Sequence, residues 1–290
     1  MSGTYKMVVG LDPEWRARDA IGLALALAAA PGSELHIVHV VEPTRVYWPL
    51  GPIISSEEAR EYADKVIEAI PEQLPENVRT HVRLGHPVRE LLDFCTEIDA
   101  DLLILGRHHE GRLDPLIGST AQKIVRTSKT PVLVHKAAST RVPKRLLVAV
   151  DLSEPSTLAL REAVEWATRW GGTLHVLYVF EPPEFAYGAG EKFYPTVAID
   201  EVRRGEYERL DKLIAETDFK GVEHDVIKAE GDPRTEILRV GDEKDAEVIM
   251  MGTHGRTGLE RIFLGSVAEY VVRRGARSVL VAPRPDHSAS

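Results

Sequence analysis

The sequence repeats itself, and this repeat restricts the fold more than any other feature. A buried-strand pattern that ends in aspartate, residues 5–12, recurs 139 residues later at 144–151. Residues 35–43 recur at 174–182 with the same offset, so the spacing is kept across the first helical segment. Self-similarity at a fixed offset is the signature of duplicated structural units. The 290-residue chain therefore predicts two copies of one domain.

The later segments of the two copies also match, but with a longer offset. Residues 85–92 correspond to 231–238, and residues 99–106 correspond to 245–252, 146 residues further on. The second copy thus has about seven additional residues, which fall in the glycine-rich and aromatic stretch around 185–190. That stretch is either a flap over a site or a surface connection. A last apolar segment, residues 131–134, matches 278–281, which gives each copy five strands.

Apolar strands alternate with helical patterns in both copies. In residues 154–170 apolar side chains recur at i, i+3, i+4 and i+7, and Ser153 is the expected N-cap of this helix. Nearly continuous apolar strands between helices favour parallel pairing with both sheet faces covered. We predict an α/β fold with two tandem doubly wound, five-stranded parallel sheets, in domains 1–138 and 143–285. The linker is so short that we expect the halves to pack closely.

Composition limits the partners of such a chain. Its formal net charge of −9 and pI near 5.7 disfavour nucleic acid and anionic membranes as partners. No apolar run is long enough for a membrane span and no signal peptide precedes the first strand, so a cytoplasmic location is expected. The single cysteine, Cys95, falls on the apolar positions of a helix, and we interpret it as a core residue.

Ligands of open parallel sheets bind beyond the carboxyl ends of the strands, where the winding direction reverses. Asp151 closes the first strand of the second copy, and Gly252 closes its fourth. From Gly252 a loop runs to Gly265 and Ser266, which open the next helix. Glycines let backbone N–H groups approach an anion, and a helix N-terminus offers unpaired N–H groups with partial positive charge. This loop predicts a phosphate site.

These residues carry a resemblance to a known family. Gly252, two residues, Gly255, nine residues, and then Gly265 and Ser266 are similar to the loop of ATP-binding universal stress proteins. The resemblance covers residues 4–283 and indicates the tandem form of the family, with a Rossmann-like fold related to adenine nucleotide hydrolases.

The resemblance implies a set of ligand-binding residues. Around adenine and ribose it places Ala149, Val150, Asp151, Val179, Met251 and Gly252. At the phosphates it places Gly255, Gly265, Ser266 and Val267. His254, a histidine in the same loop, is our own candidate for a further ligand contact. The implied ligand is ATP, with or without Mg²⁺.

The first copy departs from this pattern. His109 stands where the second loop glycine is expected, and the loop is one residue shorter. A β-carbon and an imidazole at this position should disturb the phosphate cradle, so the first copy is expected to be a degenerate, structural one. A weaker candidate for a second nucleotide site nevertheless remains, formed by Asp12, Val40, Gly106, Gly118 and Ser119.

The sequence gives little support for a metal site or an enzyme active site. His36 and His39 are three positions apart in a strand and therefore point to opposite faces, so they cannot share a metal. We predict no metal site. The chain has neither a Gly-x-x-x-x-Gly-Lys-Ser/Thr loop nor a Gly-x-Ser-x-Gly elbow, and His254 is the one basic group in the phosphate loop suited to proton transfer. We therefore assign no catalytic residue and expect at most a weak ATPase.

The sequence as a whole indicates a nucleotide-dependent stress or regulatory protein whose second domain binds ATP. The alternative is a tandem protein that binds an apolar small molecule or acts purely as a protein-interaction scaffold. The resemblance implies pairing through the last strands, which would join residues 132–134 to 279–281 as an intramolecular pseudo-dimer. Association into a homodimer stays open, and the sequence names no protein partner.

Overall fold

A computed structural model of the chain describes residues 3–11, 18–42, 47–48, 51–52, 61, 74–106, 119–182, 196–253 and 264–283. The chain divides into two compact units. The first comprises residues 1–142 together with 272–283, and the second comprises residues 143–271 together with 284–290.

The first unit is built on a parallel sheet. Its strands are β1 (Tyr5–Leu11), β2 (Ser33–Val41), β5 (Val78–Leu84), β6 (Leu102–Gly106), β7 (Val132–His135) and β12 (Ser278–Ala282), and a short antiparallel pair comprises β3 (Tyr47–Trp48) and β4 (Gly51–Pro52). Its helices are α1 (Arg18–Ala28), α2 (Pro87–Ile98) and α3 (Ser119–Thr127). The strand order is β12-β7-β6-β1-β2-β5. Within this order β1, β2, β5, β6 and β7 pair in parallel, and β12 is antiparallel to β7.

The second unit repeats this plan. Its strands are β8 (Arg145–Val150), β9 (Thr173–Phe180), β10 (His224–Glu230) and β11 (Val248–Gly252), and its helices are α4 (Glu154–Trp170), α5 (Thr196–Glu216), α6 (Pro233–Glu243) and most of α7 (Ser266–Arg274). The strands pair in parallel in the order β10-β9-β8-β11. The predicted α/β class with duplicated, doubly wound parallel sheets is confirmed.

Helix α4 shows how the apolar pattern produces this packing. The side chains at the predicted helical spacing, Leu160, Ala163, Val164 and Ala167, are all buried. Ser153 is the N-cap, as predicted, and its hydroxyl accepts a hydrogen bond from the Ser156 N–H at 3.4 Å. The buried stripe lets α4 lie on β8 and β11.

The last strand of the second copy belongs to the first unit. Val279, Leu280 and Val281 pair antiparallel with Val134, Leu133 and Val132, and all six side chains are buried. The predicted contact between the last strands is therefore confirmed. The domain bounds 1–138 and 143–285 remain a prediction, because β12 is grouped here by its contacts and not by the repeat to which it belongs.

Two further sequence interpretations concern the core and membranes. Cys95 is 1% exposed on α2, and burial raises the pKa of its thiol to about 12, which confirms that it is a core residue. Within the described parts of the chain, no helix combines the length and the apolar character needed to cross a membrane.

Candidate functional site

The winding direction of the second unit reverses between β8 and β11. These strands are parallel neighbours, with Val148 opposite Met250, so their carboxyl ends reach the same edge of the sheet. β9 lies on the other side of β8, with Tyr178 opposite Val150. This is the crevice in which open α/β sheets bind ligands.

The structure brings most of the predicted adenine and ribose residues to this edge. Ala149 and Val150 end β8, and Met251 and Gly252 end β11; all four are buried. Asp151 follows β8 directly and is half-buried. Val179 is half-buried near the end of β9, opposite Ala229 of β10. Because β9 is the neighbour of β8, Val179 lies one strand away from the point of reversal.

The turn after β8 holds the Asp151 carboxylate in a network of hydrogen bonds. The Ser153 N–H donates to Asp151 Oδ1 at 3.1 Å, and the Ser153 hydroxyl donates to the same oxygen. The Ser156 hydroxyl accepts from the Asp151 N–H at 3.2 Å and donates to the Ser153 carbonyl at 2.9 Å. Between them Leu152 has φ +65°, a left-handed conformation that side-chain-bearing residues rarely adopt.

Gly252 meets this turn from the side of β11. A β-carbon at residue 252 would lie 2.6 Å from the Pro155 carbonyl carbon and 2.8 Å from its oxygen. Only glycine therefore lets the first turn of α4 lie against the end of β11. Because residue 252 has no side chain, the turn that contains Asp151 can lie in direct contact with the end of β11.

The predicted phosphate helix begins at the same edge. The Gly265 N–H donates to the Thr253 carbonyl at 2.7 Å, so the two ends of the intervening loop lie side by side. Ser266 and Val267 form the first turn of α7, where the N–H groups have no partners within the helix. Their partial positive charge lies beside the carboxyl end of β11. His254 and Gly255 lie outside the described residues, as does the stretch around 185–190.

Sequence reasoning missed Thr253. It is 5% exposed, and its buried hydroxyl has no hydrogen-bond partner in the described part of the chain. A hydroxyl left in this state usually has a ligand or water in reach, since burial without a partner is unfavourable. Its position directly after Gly252 could have drawn attention to it, but threonine is too common at strand ends to be a signal alone.

Sequence reasoning also missed an ion pair beside α7. Asp232 accepts hydrogen bonds from Arg234 Nε and Nη2, and the Arg234 guanidinium lies 6.0 Å from the ring centre of Tyr270. Tyr270 lies one turn along α7 from Ser266. The hydrogen bond from Arg234 is the main cause of the lowered pKa of Asp232.

The corresponding edge of the first unit is less fully described. Val40 is half-buried at the end of β2, Gly106 ends β6, and Ser119 begins α3. β1 and β6 are parallel neighbours, so Gly106 lies at the carboxyl edge of the sheet. Asp12 and Gly118 lie outside the described residues, and so does His109.

The histidines of β2 lie on opposite faces of the strand, as predicted. The ring of His36 contacts His81 of β5, with Nδ1 and Nε2 2.9 Å apart, whereas His39 Nδ1 lies 3.0 Å from the Leu11 carbonyl oxygen. Among the described residues, no group of three histidine, cysteine or acidic side chains could hold a metal ion.

Comparison with known proteins places this geometry in a family. The profile of the Universal stress protein family matches residues 4–136 and again residues 143–283. A universal stress protein of Mycolicibacterium smegmatis is 28% identical over 298 residues, which cover 96% of each chain. A universal stress protein of Methanocaldococcus jannaschii is 32% identical over 142 residues, 49% of this chain and 83% of its own.

Solved structures agree on the fold. The crystal structure of a universal stress protein from Archaeoglobus fulgidus has a TM-score of 0.70 with 22% identity, covering 97% of this chain and 99% of that one.

Proposed function

The chain belongs to the universal stress protein family, and we propose that its second domain, residues 143–285, binds ATP and acts as a nucleotide-dependent stress or regulatory protein. The observation that carries this proposal is the hydrogen bond from the Gly265 N–H to the Thr253 carbonyl at 2.7 Å. It brings the N-terminus of α7 to the strand end where Asp151 and Gly252 also lie. A phosphate chain and a ribose could thus be held by one small edge of the sheet.

Two features of the described residues fit an adenine nucleotide. Thr253 offers a buried hydroxyl without a partner among them, which a bound polar group would satisfy. Gly252 lets the first turn of α4 pack against the end of β11, which holds the Asp151 turn at the same edge of the sheet. Both features lie at the edge at which the motif predicts the ligand.

The roles of the residues follow from their chemistry. Ala149, Val150, Met251 and Val179 supply apolar surface for a base, and the carboxylate of Asp151 accepts hydrogen bonds from ribose hydroxyls or an exocyclic amine. The N–H groups of Gly265, Ser266 and Val267, with Gly255, bind phosphate oxygens, and His254 is a further contact. Mg²⁺, where present, would neutralise phosphate charge.

We propose that any hydrolysis is slow. No step needs a side chain of this site to move a proton, and nucleotide binding alone can bias a regulatory protein between states. The first domain, with His109 in its loop, is the scaffold half, and we place the protein in the cytoplasm.

The test is to release and measure bound nucleotide. Purified protein is heat-denatured and the supernatant is chromatographed, and ATP is titrated into nucleotide-free protein by calorimetry. Released adenine nucleotide or saturable ATP binding supports the proposal. Absence of both overturns it and favours an apolar ligand or a purely scaffolding role.

A matched pair of variants assigns the site to one domain. Gly265→Val in the second domain should abolish ATP binding, whereas Gly118→Val at the equivalent position of the first should leave it intact. Equal loss in both variants would contradict the proposed unequal roles of the two domains.

A further inference from the structure

The structure assigns Ser153 as a positioning residue of the nucleotide site, which acts by holding the Asp151 carboxylate. This inference rests on the proposed ATP site. Ser153 donates two hydrogen bonds to Asp151 Oδ1, from its N–H at 3.1 Å and from its hydroxyl. Two donors on a single oxygen fix both the position and the rotation of a carboxylate.

The hydroxyl of Ser153 has a second task in the same place. It accepts a hydrogen bond from the Ser156 N–H at 3.4 Å and so caps α4. Ser156 is 3% exposed. Its hydroxyl accepts a hydrogen bond from the Asp151 N–H and donates one to the Ser153 carbonyl. The strand end, the carboxylate and the first turn of α4 therefore form one closed network.

This network is also fixed to the other half of the site. Pro155, between the two serines, lies where a β-carbon of residue 252 would be, so the α4 turn rests against the end of β11. A shift of Ser153 would thus displace both the Asp151 carboxylate and the contact of α4 with Gly252. The network orients the carboxylate before a ligand arrives, which lowers the entropy lost on binding.

The first copy retains the aspartate, Asp12, but lacks the residues that hold the Asp151 carboxylate in this network. With the offset of 139 residues, Leu152, Ser153 and Ser156 correspond to Pro13, Glu14 and Ala17. Proline is confined to φ near −65°, which excludes the +65° that Leu152 adopts. Glutamate and alanine offer no hydroxyl. Retention of Asp12 is therefore not sufficient for a nucleotide site, and the Ser153 network distinguishes the two copies.

The experiment measures ATP affinity by calorimetry in the full chain for three variants of residue 153. Ser153→Ala removes the hydroxyl, Ser153→Gly removes it while preserving most of the N-cap, and Ser153→Thr retains it. We expect Ala and Gly to weaken ATP binding about tenfold and Thr to restore it. Thr168→Ala, which removes an exposed hydroxyl from the far end of α4, is the matched control and should bind as wild type does.

A double-mutant cycle separates positioning from a general structural effect. In an Asp151→Ala background, Ser153→Ala should have little further effect on ATP affinity, because its target is gone. Additive losses, or wild-type affinity in both the Ala and Gly variants, overturn the positioning role and leave the ATP site standing. Absence of ATP binding by the wild-type chain overturns the proposed function and this inference with it.

Discussion

His36 Nδ1 and His81 Nε2 lie 2.9 Å apart, so the two imidazoles of neighbouring strands share a hydrogen bond. One ring must donate and the other accept, which requires that at least one of the two imidazoles is neutral. The ring of Phe94 packs on both imidazoles, and Arg79, Arg83 and Glu34 are charged neighbours. Burial is the main cause that lowers the pKa of both histidines from the ordinary 6.5.

This pair predicts a loss of stability in mild acid. The unfolded chain takes up protons near pH 6.5, whereas the folded pair takes them up only at lower pH. The contribution of the pair is therefore fully present above pH 6.5 and decreases as pH falls toward the lowered values. Urea unfolding at pH 7.5 and 5.5 measures it. In the double variant His36→Gln/His81→Gln, the free energy of unfolding should differ less between the two pH values than it does in the wild type. An unchanged difference would show that other groups cause the pH dependence.

Gly252→Ala tests the close approach of α4 to β11. Because the new β-carbon would lie 2.6 Å from backbone of Pro155, we expect a destabilisation of about 1–3 kcal/mol. Gly205→Ala is the matched control, since a β-carbon there has open space inside α5 and should stabilise the helix by about 0.5–1 kcal/mol. Chemical denaturation measures the free energy of unfolding of both variants, which should fall for Gly252→Ala and rise for Gly205→Ala. Equal effects at both positions would mean that the first turn of α4 moves away at little cost.

How much of this could be predicted from the sequence depends on the range of each interaction. The duplicated strands, the Ser153 cap and the core position of Cys95 follow from local periodicity and residue type. The strand ends at Asp151 and Gly252 followed from the repeat combined with the general rule for parallel sheets. In contrast, the contact of Gly252 with Pro155 joins residues about a hundred positions apart, and no pattern in either segment encodes it.

The direction of the Ser153 side chain and the pairing of the outer strands could not be predicted from the sequence either. Ser153 was predicted as a cap, but its bond to the Asp151 carboxylate depends on the left-handed φ of Leu152, and leucine gives no signal for that conformation. Strand β10 is largely exposed at the edge of its sheet, so its weak apolar pattern did not define it. The pairing of β12 with β7 required the family resemblance, because two apolar segments alone do not select each other.

Leu152→Pro would give the second domain the residue that the first has at position 13. Proline cannot adopt φ +65°, so the turn must rearrange, and we expect a destabilisation of about 3 kcal/mol together with loss of ATP binding. Leu152→Asn is the control, because asparagine tolerates the left-handed region. Thermal denaturation and ATP titration report both effects. A proline variant as stable as wild type would show that the turn has an alternative conformation.

The thiol of Cys95 should be inert in the native protein. It is 1% exposed, and burial raises its pKa to about 12, so hardly any thiolate is present at neutral pH. Ellman's reagent should therefore label no thiol in buffer and one per chain after unfolding in urea, because the chain has one cysteine. Rapid labelling without denaturant would show that α2 opens locally.

Ser278→Ala tests the pairing between β7 and β12. The Ser278 hydroxyl is fully buried, lies 3.1 Å from His135 Nδ1, and accepts a hydrogen bond from the Lys136 N–H at 3.1 Å. Its removal takes a partner from two polar groups at the end of this strand pair, which should destabilise the protein by about 1–3 kcal/mol. Thr127→Ala, which removes an exposed hydroxyl from α3, should stay within about 0.5 kcal/mol of wild type. Urea unfolding measures both variants, and an effect of Ser278→Ala no larger than the control would mean that apolar burial alone fixes the register of β12.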